Sequence, residues 1–146
     1  PSALVDRSVE AIRRHRLSSV RSPVLMHGDF HPGNIVWSRG TLTGVVDWSA
    51  ARLGSRGFEL AYCRAGIALL FGTRAVRRLT EHYVDIVGST PVDLPVFDLM
   101  CGLVARRFGA TQWLPSYRQQ GCIGTPRQFV ARVTPFLRQA LAELGA

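Results

Sequence analysis

Between residues 24 and 48 short apolar stretches alternate with glycine-punctuated polar runs, a rhythm too fast for one helix to carry. Val24-Leu25-Met26 reads as a short strand that runs directly into His27-Gly28-Asp29. Ile35-Val36-Trp37 and Leu42 to Trp48 read as two further strands, joined by a turn that contains Gly40. If Arg39-Gly40 is a two-residue turn, Trp37 pairs with Leu42 and Asn34 lies across from Val45. Asp47 then falls about two residues further along, and diagonal neighbours across such a ribbon lie within roughly 8 Å. The hairpin therefore brings Asn34 and Asp47 together, while a loop at the end of the first strand holds Asp29 outward.

The remainder reads as helical. Ser2 to Leu17 is an amphipathic helix, with Leu4, Val5, Val9 and Ile12 at helical spacing and Arg13, Arg14 and Arg16 near its C-terminal end. Phe58 to Phe71 is apolar on nearly every side, which marks a buried helix. Thr73 to Val87 gives a more polar helix and Leu94 to Phe108 another. Thr125-Pro126 and Thr134-Pro135 each set an N-cap residue before a first-turn proline, predicting two helices that meet at a bend. Their buried stripe is Phe129, Val133, Phe136, Leu137, Leu141 and Leu144, and Trp37 and Trp48 are expected in the core of the hairpin. The expected fold class is α+β, mostly α: one domain over residues 1–146 with a small β-hairpin near its front.

Composition narrows the function classes. With 47% hydrophobic and 19% charged residues the chain is foldable, and no apolar run reaches the roughly 18 residues of a membrane span. Asp6, Arg7 and Glu10 interrupt any signal-peptide reading early. Cys63, Cys101 and Cys122 are far apart and form no CxxC pair, so they read as buried free thiols of a cytoplasmic protein, against metal ligation or a disulfide. The net charge is +8, and all 18 basic residues are Arg. They stand singly or in pairs without interleaved aromatic residues, the pattern of a solvated surface, and no nucleic-acid partner is expected. Affinity for a phosphate-bearing ligand is the other reading of that charge.

Residues 27–34 read His-Gly-Asp-Phe-His-Pro-Gly-Asn and residues 44–48 read Gly-Val-Val-Asp-Trp. Asp29, Asn34 and Asp47 stand out, because phosphoryl transfer needs a carboxylate to orient a hydroxyl and accept its proton, plus hard oxygen ligands for Mg2+. Asp29, four intervening residues, Asn34 and then Asp47 follow the spacing logic of the protein-kinase catalytic loop and its metal-binding Asp. The wording of these runs, with Gly54-Ser-Arg-Gly-Phe-Glu-Leu-Ala61 after them, resembles the aminoglycoside phosphotransferase and choline kinase-like family over about residues 22–62. The resemblance implies a protein-kinase-like C-terminal lobe whose hairpin carries the catalytic and metal-binding loop. It implies Asp29 as catalytic base, Asn34 and Asp47 as the Mg2+ and cofactor-binding ligands, ATP as co-substrate and a small-molecule hydroxyl as acceptor. His27 is expected to pack and hydrogen-bond so as to stiffen the loop. His31 is open between facing the substrate cleft and stabilising the loop. Glu59 stands where the family usually shows Asp.

Kinases of this type use a second, mainly β lobe with a loop over the phosphates and a Lys paired to a Glu. Only about 26 residues precede the loop here, Gly121 to Gly124 opens no phosphate-cradling turn, and the chain contains no Lys. The expectation is therefore a catalytic lobe lacking its N-terminal nucleotide-clamping lobe, a fragment whose partner lobe acts in cis or in trans, and inactive alone. The alternative is a non-catalytic kinase-like module that binds or regulates. With 10 acidic residues against 18 Arg, a polycationic acceptor is disfavoured over a neutral or singly charged hydroxyl compound.

Overall fold

The computed structural model describes residues 2–18, 22–119 and 123–145. Its order is α1 (Ala3–Arg14), β1 (Val24–Met26), β2 (Ile35–Ser38), β3 (Thr41–Val45), β4 (Arg52–Gly54), α2 (Arg56–Phe71), α3 (Thr73–Val87), α4 (Leu94–Phe108), α5 (Leu114–Gln119) and α6 (Pro126–Glu143). The expected Gly121 and Cys122 features lie outside the described residues. Among those described, no helix is long and apolar enough to cross a membrane.

Helices α2, α4 and α6 pack against one another around Leu69, Leu99, Phe129, Val133, Phe136 and Leu137, all at most 2% exposed. The Ser55 hydroxyl caps α2 by accepting the Gly57 N–H at 3.1 Å, and the helix ends at Gly72. Inside the packed helices Arg64 donates to both carboxylate oxygens of Asp98, at 3.1 and 2.8 Å, and its remaining arm reaches the Thr80 hydroxyl. Burial pushes the Asp98 carboxyl up to about 7 against the pull of that guanidinium. Burial likewise pushes the Cys63 and Cys101 thiols up to about 12, as inert free thiols require.

Beyond α4 the chain widens into a π turn, Gly109–Trp113, in which the Leu114 N–H reaches back to the Gly109 carbonyl before α5 continues. Helix α6 begins at a reciprocal cap between Thr125 and Gln128 and runs unbroken through Pro135, so the two bent helices expected there are one. Thr134 does not cap a second helix. Its hydroxyl bonds backward to the Val130 carbonyl at 3.0 Å and accepts from Arg106. Pro135 lies on the exposed face, while Val133, Phe136 and Leu137 pin both halves to the core. Helix α1 stops at Arg14, short of Leu17, because His15 and Ser18 turn away to bond Asp93, at 3.0 and 2.9 Å.

The β structure is two antiparallel ribbons, one more than expected. β2 pairs with β3 through Trp37↔Leu42, as the turn predicts, and Arg39 and Gly40 both take positive φ, 49° and 78°. A bulge at Val36/Trp37 then shifts the register by one, so Ile35 faces Val45 and the Asn34 carbonyl accepts the Val46 N–H at 3.0 Å. β3 ends at Val45, short of Trp48. β1 pairs with β4 in the second ribbon, which leads straight into α2. Trp37, on β2, and Trp48, in the short turn after β3, are 62% and 50% exposed and stand outside the apolar core of the described residues, although the Trp48 ring packs against His27 at 4.7 Å.

Candidate active site

The loop 27–34 is tied down along its length. At its start the Glu59 carboxylate, in the first turn of α2, accepts the His27 and Gly28 N–H groups, each at 3.1 Å. The longer acid at this position reaches two backbone donors at once. Gly28 has φ 83° and packs so closely on the Ala50 carbonyl that a Cβ would collide with it. The His27 ring spans the loop: Nε2–H donates to the Val46 carbonyl at 2.8 Å and Nδ1 accepts the Asp29 N–H at 3.3 Å, a single tautomer serving both. This is the stiffening role expected of it.

In the middle, His31 Nδ1 accepts the Gly33 N–H at 3.0 Å and stands 2.9 Å from the Tyr117 hydroxyl, while Nε2 lies 3.6 Å from Asp29 Oδ2. His31 both stabilises the loop and faces the cleft, so the two readings of it are one arrangement. Burial lowers its pKa from 6.5, more than the Asp29 charge raises it.

Asp29 carries the densest set of contacts. Asn34 Nδ2 donates to its carbonyl at 2.9 Å and to Oδ2 at 3.1 Å, and the Tyr62 hydroxyl donates to Oδ1 at 2.7 Å. Burial, and then that bond, raise the Tyr62 phenol above its ordinary value of 10.0. A cavity of about 170 Å³ opens beside the carboxylate, walled by Asp29, His31, Tyr62, Gly66, Gln112, Trp113 and Tyr117. The Tyr62 and Trp113 rings lie 6.3 Å apart, centre to centre.

Asn34 is buried and Asp47 exposed. Asp47 lies one residue past Val46, the backbone partner of Asn34, and takes the left-handed conformation, φ 64° and ψ 61°, outside any strand. Its Oδ1 accepts from the Ser49 hydroxyl at 2.7 Å, and its charge reaches His31. With Nδ2 committed to Asp29, the Asn34 amide oxygen is left to accept, and Asp47 follows directly on the residue that pairs with the Asn34 backbone. An amide oxygen and a carboxylate are the donor types that Mg2+ takes, with phosphate and water filling its octahedron. No group of three or more His, Cys, Asp or Glu that could hold a metal ion occurs among the described residues.

Tyr62, Trp113 and Tyr117 carry no sequence signal as site residues. Tyr62 falls within the apolar pattern of a buried helix, and the other two enter through the π turn, which leaves no sequence signature.

Residues 2–91 match the phosphotransferase enzyme family. The chain belongs to that family. A solved structure, a thermostable mutant of aminoglycoside phosphotransferase APH(4)-Ia in its apo form, superposes with a TM-score of 0.56 at 19% sequence identity. The superposition covers 99% of this family member and 44% of that chain, so the present chain spans less than half the length of the protein it resembles in fold. Among curated proteins none matches.

Proposed function

We propose that this chain is the catalytic lobe of an ATP-dependent phosphotransferase acting on a hydroxyl of a small molecule. The observation that carries the reading is the Asp29 carboxylate, held by donors from the loop and from α2 at the wall of a cavity. Asp29 orients the acceptor hydroxyl and takes its proton. The acceptor oxygen bonds to the γ-phosphorus, the bond to the β–γ bridging oxygen breaks, and ADP leaves. Asn34 and Asp47 would hold Mg2+, which when bound offsets phosphate charge.

The lobe that clamps the nucleotide is proposed to come from a longer protein, in cis or in trans. Two features support this. The chain has no Lys to anchor phosphates, and the apolar side chains of Leu25, Trp37, Leu42 and Leu53 on the ribbons are exposed. A neutral or singly charged acceptor fits best, since Asp29 is the one acidic residue among the described residues that line the cavity and it is committed to the reaction.

A phosphate-transfer screen over sugars, amino alcohols, macrolides and aminoglycosides tests the reading, run on the 146-residue chain and on a longer protein that contains it. The chain alone is expected to show negligible turnover and the longer protein to phosphorylate a compound of low charge. Asp29→Ala should lower the rate by about 10²- to 10⁴-fold, the range for losing a positioned general base. Undiminished turnover in Asp29→Ala, or preferential turnover of polycationic compounds, would count against the assignment.

A further inference from the structure

The geometry points to Tyr62 as the positioning residue of the transfer: its hydroxyl fixes the Asp29 carboxylate so that Oδ1 receives the acceptor hydroxyl. The inference rests on the phosphotransferase reading above and adds where on the base the acceptor docks.

A carboxylate offers about four lone-pair directions. Oδ2 of Asp29 is the crowded oxygen, with Asn34 Nδ2 at 3.1 Å and His31 Nε2 at 3.6 Å. Oδ1 holds one partner, the Tyr62 hydroxyl at 2.7 Å, and keeps a lone pair for another. The Tyr62 ring and Asp29 both line the cavity, so an acceptor hydroxyl bound to Oδ1 lies beside the phenol oxygen. Tyr62 thus touches both the base and the space the acceptor fills.

The helix beneath explains why this contact sets the angle of the base. Glu59 and Tyr62 are three residues apart on α2 and share a face. Glu59 grips the backbone of His27 and Gly28, and Tyr62 grips the side chain of the very next residue. These three bonds reference Asp29 to a helix seated in the core: the loop's own Asn34 and His31 hold the Oδ2 side of the carboxylate, and Tyr62 fixes the Oδ1 side. Holding a reacting group in its productive orientation is where most of the rate in phosphoryl transfer originates.

Tyr62→Phe keeps the ring and its packing and removes only the donor. In the longer protein, with an acceptor found in the screen, kcat should fall about ten- to a hundredfold, as for loss of a hydrogen bond to a charged group. The acceptor KM should move by less than about threefold, because the cavity wall is intact. An unchanged kcat, or a loss confined to KM, overturns the inference and leaves Tyr62 a wall residue. A second measurement needs no turnover: alkaline titration of tyrosine absorbance in the 146-residue chain, with Tyr83→Phe as the remote control. The component missing in Tyr62→Phe should ionise above the ordinary phenol range, and Asp29→Asn should bring it down. A Tyr62 component that ionises in the ordinary phenol range, indifferent to Asp29→Asn, overturns the bond itself. A longer protein that phosphorylates nothing while the titration behaves as expected overturns the phosphotransferase reading and, with it, the positioning role. Normal turnover in Tyr62→Phe overturns the positioning role alone.

Discussion

Phe129 on α6 is fully buried with Leu69 and Leu99, whereas Trp37 on β2, a larger aromatic residue, leaves 62% of its surface exposed. The contrast extends to whole regions. The contiguous apolar core draws its residues from the helices, and none of residues 22–55 enters it. What anchors the ribbon region is polar: the Glu59 carboxylate on two N–H groups, His27 on the Val46 carbonyl, and Asn34 and Tyr62 on Asp29. Apolar burial is non-directional and tolerant of small shifts, while these bonds hold only at set distances and angles. The helices therefore supply the stability, and the ribbons supply the geometry.

Truncating each side tests that division. Phe129→Ala should destabilise the chain by about 3–5 kcal/mol, the cost of a large core cavity, and lower the denaturant midpoint of the whole domain. A loss confined to the helices, with the ribbons unaffected, would show that the two regions fold independently. Glu59→Ala strips two backbone donors of their partner and should cost about 1–3 kcal/mol. Its effect should be local, with amide exchange accelerating across residues 27–34 before it changes in α4 or α6. Uniform acceleration would mean that the loop and the core open as one unit. Trp37→Ser should change the stability of this chain by less than about 0.5 kcal/mol, the usual range for exposed positions. The same substitution in a longer protein should cost distinctly more if a second lobe covers the ribbons, and equal costs would argue that nothing does.

The same division decides what could be read in advance. Helices over Thr73–Val87 and Leu94–Phe108 have the bounds their patterns predict, because Gly72 and Gly88 punctuate one and Pro95 stands in the first turn of the other. The loop of Asp29 and Asn34 and the Trp37↔Leu42 pairing were legible too, since motif and turn residues specify them locally. What escaped depends on partners distant in sequence. Arg52–Gly54 has no alternation and becomes a strand only by pairing with Val24–Met26. Trp48 resembles a core residue by type, but it packs only its ring against His27 and leaves half of its surface exposed. Pro135 reads as a helix start, yet the core on both sides of it keeps α6 whole. The aromatic wall of the cavity collects residues 62, 113 and 117 from two helical stretches, and no local pattern announces that meeting.

The π turn at Gly109–Trp113 acts as a phase setter for everything after it. An α-helix advances by about 100° per residue, so one residue more or fewer in that turn would swing the following side chains by roughly a quarter to a third of a revolution. Tyr117, now bonded to His31 at 2.9 Å, would be carried off the cavity, although its identity and every neighbour in sequence stayed the same. The length of that segment thus bears on the shape of the cavity as directly as the residues that line it. Deleting the codon of Gly109 or Thr111 would be a lesion of angle, since neither residue is among those that line the cavity.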